Sequence, residues 1–401
     1  MATPIQFLVQ HLDHAGNTLL AMQPVMDSLE FTYNLANMGG PSTISCDFAL
    51  SDPALYSDAF APYKTDFELD MVVGDTVMPL MKGPCTGYHL ESDQGVVSFA
   101  GKDWLHWLEQ PYPFNYALTV SQWLALEDSN RYWNENAGTN TDAVKFNATQ
   151  QVLVDDLISA LIDAAYDSNA PALAPVYLGS TWDRPINYQI PWGDSTNILD
   201  HLRTISRMYD PYGFDFWCVA NPDKQVLLNG PRVVNPASIA PVAILTGSDK
   251  ILHIDYTNNG PRATDTVVIG SGSGNGRPWY RDTYQPSRDQ YRHWTRITSI
   301  QNPRASITST VDVVRNLAAG IGYFDRFPQK ELILDIKPDA VMAGNESFFY
   351  YPYTGFAVSV DYTGFGPFHH IVAYFYVTSQ QFKFDAAGNS ICRLTLDQIY
   401  V

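Results

Sequence analysis

Several groupings of side chains in this 401-residue sequence have the donor types that chemistry needs. His11, Asp13 and His14 are metal-ligand types within four positions, and His369-His370 form a second pair. Successive side chains on a strand point to opposite faces, so neither set converges on one ion, and no further ligand follows at a zinc-site spacing. Surface or packing histidines are the expectation. The run Gly270-Ser271-Gly272-Ser273-Gly274-Asn275-Gly276 follows an apolar strand, as a dinucleotide loop would. Such a loop must open a helix, whereas Arg277-Pro278-Trp279-Tyr280 comes next, so a flexible loop is expected. No H-E-x-x-H, G-x-S-x-G or P-loop motif is present. A glycosidase carboxylate pair is set by separation in space, so the sequence leaves that chemistry open. Cys46, Cys85, Cys218 and Cys392 are scattered and form no C-x-x-C, which fits buried thiols better than a disulfide framework or a zinc site. Asn147-Ala148-Thr149 and Asn345-Glu346-Ser347 match the glycosylation pattern, but no basic start and apolar core of a secretory signal follow Met1-Ala2-Thr3-Pro4. The expectation is no catalytic residue, no cofactor-binding residue and no metal ligand.

Two groupings concern binding. Arg277, Arg281, Arg288, Arg292, Arg296 and Arg304 crowd one segment, mixed with Asp and Tyr, and read as an exposed excursion that contacts a partner. The whole chain opposes a nucleic-acid reading: 42 acidic against 24 basic residues give a formal charge of -18, which repels phosphate. Trp104, Trp107, Trp123, Trp133 and Trp182 could stack on sugars, although tryptophan more often fills a core. Only 16% of residues are charged, below the roughly 25% usual for globular proteins. Either neighbours cover part of the surface or the protein has a large β-rich core. No apolar run approaches the ~20 residues needed to cross a bilayer, the longest being Ile371 to Val377.

The positioning elements are mostly strands. At 401 residues the chain has room for two or three domains. Ile5 to Leu12 and Thr18 to Met22 flank the turn Asp13-His14-Ala15-Gly16-Asn17; Leu29 to Leu35, Ile44 to Leu50, Phe67 to Val73 and Thr76 to Leu80 follow. Thr86 to Leu90 and Val96 to Ala100 form a further hairpin, after which Asp103 is placed to cap a helical turn through Trp104, Leu105, Trp107 and Leu108. Leu153, Leu157, Leu161 and Ala164 recur at helical spacing beside Val154, Ile158, Ile162 and Ala165 within Val152 to Tyr166, leaving Asp155, Asp156 and Asp163 on a solvated face. A Pro-rich linker, Asn169 to Pro175, ends that element. Asp194 or Ser195 can cap a second helix with the stripe Ile198, Leu202, Ile205 and Tyr209, stopped by Pro211 and Gly213. Phe214 to Ala220 and Gln225 to Leu228 read as a hairpin. Strands return at Ile251 to Tyr256 and Thr264 to Ile269, a third helix spans Thr310 to Ile321, and the end is strand again from Leu332, with Pro338 to Pro352 a long connection.

Two stretches also resemble a known family. Val96-Val97-Ser98-Phe99-Ala100-Gly101-Lys102-Asp103-Trp104-Leu105-His106-Trp107-Leu108 resembles the end of the first barrel in tail hub (baseplate hub) proteins of bacteriophages with long non-contractile tails. The hairpin through Asp385-Ala386-Ala387-Gly388-Asn389 to Ile391-Cys392-Arg393-Leu394-Thr395-Leu396 is similar to the last hairpin of such hubs, and the helix-then-hairpin middle resembles the insert between their barrels. The resemblance implies a mainly β fold with an α+β insert: a first small barrel over 1–110, the insert over 111–249, and a related second barrel over 250–401 with a helical excursion near 308–322. It implies that Ile251 to Ile269 and Leu332 to Val401 together form the second barrel. It also implies a homotrimeric ring at the distal end of the tail, made in the host cytoplasm, without stable membrane insertion. Its partners would be distal tail or tube proteins, the tape measure protein and tip or receptor-binding proteins, with DNA passing through unbound. Hubs that are enzymes carry an added hydrolase domain, and this chain ends at the last hairpin, so no enzyme activity is expected. The alternative is a carbohydrate-binding or carbohydrate-active β-domain protein used in host recognition.

Overall fold

A computed structural model of the chain describes residues 5–36, 38–49, 58–91, 95–109, 152–164, 172–179, 182–183, 185–186, 196–208, 213–221, 223–230, 243–246, 251–270, 276–299, 311–336, 357–362 and 371–398. Strands dominate, as expected, and helices are confined to the middle and to one later excursion. The strands in chain order are β1 (Ile5–Leu12), β2 (Thr18–Met22), β3 (Glu30–Asn34), β4 (Thr43–Ala49), β5 (Asp66–Val73), β6 (Thr76–Glu91) and β7 (Val96–Lys102). Then come β8 (Val152–Leu153), helix α1 (Val154–Ala164), β9 (Ala174–Leu178), β10 (Pro185–Ile186), α2 (Ile198–Met208), β11 (Asp215–Val219), β12 (Gln225–Asn229) and β13 (Ala243–Thr246). The last stretch holds β14 (Ile251–Pro261), β15 (Asp265–Ile269), β16 (Trp279–Thr283), α3 (Gln285–Tyr291), β17 (Thr295–Ser299), α4 (Val311–Asp325), β18 (Pro328–Ile336), β19 (Ala357–Tyr362), β20 (Ile371–Phe384) and β21 (Ser390–Gln398).

The first and last β regions are joined in one 13-stranded sheet, ordered β14-β18-β21-β20-β3-β4-β7-β6-β5-β1-β2, with β19 and β13 branching off β20. Among the described residues no ladder joins β2 to β14 to close this path. Two long strands make the arrangement possible. The first half of β6 pairs with β5 and its second half with β7, with irregular register at Leu69/Asp70 and at Cys85/Gly87. A bulge adds twist and lets one strand serve two sheets. Gly83 sits at the crossing, where a Cβ would lie 2.0 Å from the Lys102 carbonyl oxygen, so no larger residue fits. β20 behaves in the same way: Ile371 to Tyr376 pair with β19, and Ser379 to Lys383 pair with β3 across the whole sequence.

That long-range seam is packed as well as hydrogen-bonded. Phe31 stacks on Phe382 at 4.7 Å, and Phe7 meets Phe384 edge-on at 4.8 Å, so both regions share one apolar core. Fully buried phenylalanines of this kind cost about 3–5 kcal/mol when cut to alanine. The two regions also repeat a turn. Asp13 Oδ1 accepts from the Ala15 and Asn17 amides while Oδ2 accepts from Asn17 Nδ2. Asp385 makes the same three bonds to Ala387 and Asn389. Both turns read Asp-x-Ala-Gly-Asn, and their glycines, Gly16 and Gly388, sit at φ +83° and +80°, where a side chain would be strained.

The insert has its own core. Val154, Leu157, Ile158, Leu161 and Ile162 of α1 and Ile198, Leu199, Leu202 and Ile205 of α2 pack on the three-stranded sheet β11-β12-β9. The first helical stripe is as read, except that Leu153 lies on the short strand β8 and is exposed. The second helix is capped one turn later than expected: Asn197 Oδ1 accepts the Asp200 amide at 2.7 Å, and Asp194 and Ser195 lie outside the described residues, as do Tyr209 and Pro211. The Pro-rich linker ends in a strand the sequence concealed, since Ala174–Leu178 pairs in parallel with β12 despite Pro175. The turn through Trp104–Glu109 is a 3-10 helix, and Trp104, Leu105 and Leu108 belong to the insert's core. The chain thus passes from the first core to the second at this turn.

One assignment needs correction. Ile251–Pro261 pairs with β18 as expected for the last β region, but β15 leaves that sheet. It is the centre of a separate sheet, β16-β15-β17, antiparallel to β16 and parallel to β17. The segment read as an exposed excursion is therefore a folded unit, with α4 packed on one face through Val314 and Ala318 against Val268. A hydrogen-bonded strand pair needs only alternation to form, and Trp279 to Thr283 alternates exposed and half-buried positions. The connection Pro338 to Pro352 lies outside the described residues.

Candidate assembly surface

The histidine candidates do not converge. His11 is buried at the centre of the first β region, 4.4 Å from the Phe60 ring, 5.0 Å from Phe99 and 5.7 Å from Phe48. Burial lowers its pKa to about 4, so it is neutral at physiological pH, with Nδ1 3.7 Å from the Cys85 thiol. His14 faces the other way and lies 3.6 Å from Asp66, while Asp13 is spent on its turn. His369 and His370 lie outside the described residues, as do Asn147 and Asn345. Among the described residues no group of three or more His, Cys, Asp or Glu could hold a metal ion. All four cysteines are free and buried, as read, and burial pushes each thiol up. The strand before the glycine-rich run, β15, pairs antiparallel with β16 after it, with no α-helix opening between Gly276 and Trp279; residues 271–275 lie outside the described residues. Among the described residues no helix is long and apolar enough to cross a membrane.

Asp103 caps as expected. Its Oδ1 accepts the Leu105 amide at 3.0 Å and its Oδ2 the Ser42 amide at 2.9 Å, tying the 3-10 helix to the loop before β4. Burial raises its pKa to about 6 despite these bonds. Next to it the Trp104 indole donates to Asp223 Oδ1 at 2.7 Å, and Lys224 lies over the same ring. Ala36 completes the junction, donating to the Phe216 carbonyl at 2.9 Å and accepting from Arg203 Nε at 2.8 Å.

The arginines were expected to face a partner, and most of the described ones are instead bound within the fold. Asp265, buried at the start of β15, receives Arg281 at 2.7 Å, His293 at 2.9 Å, Arg288 at 3.3 Å and the Thr283 hydroxyl at 2.7 Å. Burial would push this carboxyl up, but Thr283, Arg281 and Arg288 outweigh it and hold it below the ordinary range. Arg296 binds Asp325 through both carboxylate oxygens, at 2.9 and 3.0 Å, and Arg326 binds Asp282 at 2.7 Å. Arg277 donates to the Gly270 carbonyl, and Arg304 is outside the described residues. Arg288–Asp265 thus ties α3 to the small sheet, while Arg296–Asp325 and Arg326–Asp282 fasten the sheet to the end of α4, a use of charge that sequence spacing does not reveal.

The tryptophans also divide differently from the reading. Trp104 and Trp182 are buried and Trp107 is half-buried; Trp123 and Trp133 lie outside the described residues. The exposed ones are Trp279 and Trp294, at 63% and 66%, which the sequence did not single out. Ile297, 65% exposed, shares a face with Trp279, because Trp279 pairs with Ile269 and Ile297 with Val267 on the same side of β15. This face points away from α4; α3 reaches its Asp265 end through Arg288, and neither Trp279 nor Ile297 belongs to a packed core among the described residues.

No protein-family model matches the sequence, and no curated protein sequence matches it significantly. Solved structures do. A tail protein from Neisseria meningitidis MC58 aligns over 99% of this chain and 98% of its own, with a TM-score of 0.57 at 14% identity. The 43 kDa tail protein of prophage MuSo2 from Shewanella oneidensis aligns over 98% of both chains, with a TM-score of 0.59 at 11% identity. Prophage tail protein gp18 from Listeria monocytogenes EGD-e aligns over 98% of this chain and 94% of its own, with a TM-score of 0.54 at 10% identity. The chain has the fold of these tail proteins along its whole length.

Proposed function

We propose that this protein is a structural component of a long phage tail, the hub at its distal end, and acts as a trimeric ring joining the tail tube to the tip. The observation that carries the reading is the end-to-end fold likeness to three tail proteins, two of them from prophages, over 94–98% of their own lengths. The described site residues agree with it, since His11 and the cysteines are spent on packing and Arg281, Arg288 and Arg296 on internal ion pairs. The protein is not an enzyme. Its neighbours are tube, tape measure and tip or receptor-binding proteins. Its charge of -18 suits a passage through which DNA slides without sticking. The carbohydrate-binding alternative loses support from Trp104 and Trp182, whose rings are buried and whose indole N–H groups are bonded internally. Light scattering on the purified chain tests the reading together with duplex-DNA anisotropy. A three-chain mass and no saturable DNA binding at physiological salt are expected. A monomer at every concentration, or micromolar DNA binding, overturns it.

A further inference from the structure

Charge is distributed unevenly along this chain. Residues 1–109 hold fourteen acidic residues against three lysines and no arginine. Residues 262–327, which contain the small sheet and α4, hold nine arginines against five aspartates and no glutamate. Within that basic unit Arg262, Arg277 and Arg292 have no carboxylate partner among the described residues. On it, the open face of β16-β15-β17 presents Trp279 and Ile297, each more than 60% exposed. A large ring and a branched aliphatic side chain on one sheet face, with Arg281 two residues from Trp279 on that same face, have the composition of a buried interface centre.

The acidic region offers a matching surface. Among the described residues the outer half of β6 pairs only with β7, and no strand lies on its other edge. Tyr88 and Leu90 lie two residues apart on it, 44% and 43% exposed. Residues at i and i+2 point the same way, so this strand end too presents an aromatic-aliphatic pair, in a region whose fourteen acidic residues outnumber its three lysines.

We infer that a second copy of this chain covers the Trp279–Ile297 face, and that it does so with the Tyr88–Leu90 edge of its acidic first β region. The two surfaces differ, so the contact is heterologous: each copy gives one and receives the other, and a rotation that closes yields a ring. Opposite charge attracts the two surfaces and sets their orientation, and like-charged pairings of two basic or two acidic faces are disfavoured. The inference rests on the ring reading above and names its contact surfaces.

The test is the mass of full-length variants by light scattering. Trp279→Ser and Ile297→Asp, on different strands, and Leu90→Asp, on the receiving edge, each convert the three-chain species to monomer. The melting temperatures stay near the parent's, because all three side chains are exposed. Mixing Ile297→Asp with Leu90→Asp restores a two-chain species, since one intact contact remains between them. Association of the parent weakens as salt is raised from 50 to 500 mM. A parent that is monomeric overturns the ring and this assignment together. A three-chain parent whose Trp279→Ser and Ile297→Asp variants keep that mass leaves the ring standing and overturns the assignment, as does a variant mixture that stays monomeric.

Discussion

Replacing Asp265 with alanine should loosen the small sheet selectively. The carboxylate accepts from Thr283 and Arg281 and lies within 3.3 Å of Arg288 and 2.9 Å of His293, so four side chains lose one common partner. Hydrogen bonds to a charged group contribute about 1.5–3 kcal/mol each, and removing one member of a buried ion pair costs about 3–5 kcal/mol. Arg281 and His293 are 40% and 54% exposed and recover water once released, which reduces the loss. We expect a destabilisation of about 2–4 kcal/mol, falling first on the unit around Val268, Val314 and Ala318, whose own core is small. The assay is the urea midpoint together with amide exchange in β15 to β17. Asp289→Ala is the control, because Asp289 is exposed and bonded only to the Gln285 amide among the described residues, and a change within 0.5 kcal/mol is expected there. The Asp265 pKa is held below its ordinary value, so its contribution is present above the unfolded pKa of about 3.9 and fades as pH falls through the folded value. If Asp265→Ala is no more destabilising than Asp289→Ala, or if its effect is spread evenly over the whole chain, the ion cluster does not hold this unit together.

Burial raises the Asp70 pKa to about 6, so between about pH 4 and 6 the folded state holds a proton the unfolded state has lost, and this group alone makes stability fall as pH rises. Asp70→Asn should therefore gain stability relative to the parent from pH 4 to pH 7, by up to about 2–3 kcal/mol, in paired denaturation curves; a pH-independent difference refutes it. His11, lowered to about 4, works with the opposite sign, which is why the paired difference and not the parent's own curve is the readout. Asp103→Ala and Asn197→Ala each remove a helix cap and should cost about 0.5–2 kcal/mol in thermal melts, with unchanged melting temperatures counting against the capping roles. Gly83→Ala places a Cβ against the Lys102 carbonyl and should fold poorly, whereas Gly16→Ala meets open space and incurs only the backbone strain of its positive φ, about 1 kcal/mol; comparable expression and melting of the two would contradict the strand crossing described.

What the sequence revealed was what neighbouring residues decide. The Asp13 and Asp385 turns, the Asp103 cap and the buried stripe positions Leu157, Leu161, Ile198, Leu202 and Ile205 all depend on spacings of a few residues and fold as read, whereas Leu153 falls on β8 and Tyr209 lies outside the described residues. The passage of β6 and β20 between neighbours was hidden, because the register shifts at Cys85/Gly87 and Val377/Ser379 break the alternation that would mark one continuous strand. Pairing of β3 with β20 was equally hidden, since no local signal names a partner some 350 positions away. The β9 strand was masked by Pro175, whose missing donor is tolerated at the sheet's edge. The arginine segment was misread because partners such as Asp265 and Asp325 lie outside it in sequence and meet it only after folding. Trp279 carried no sequence signal at all: its exposure follows from which face of β15 α4 covers.

Whether the protein assembles as a three-chain ring is decided by electron microscopy of the assembled protein. Class averages should show a three-fold ring with a central opening wide enough for duplex DNA. A solid particle, or a particle with no three-fold symmetry, contradicts the account.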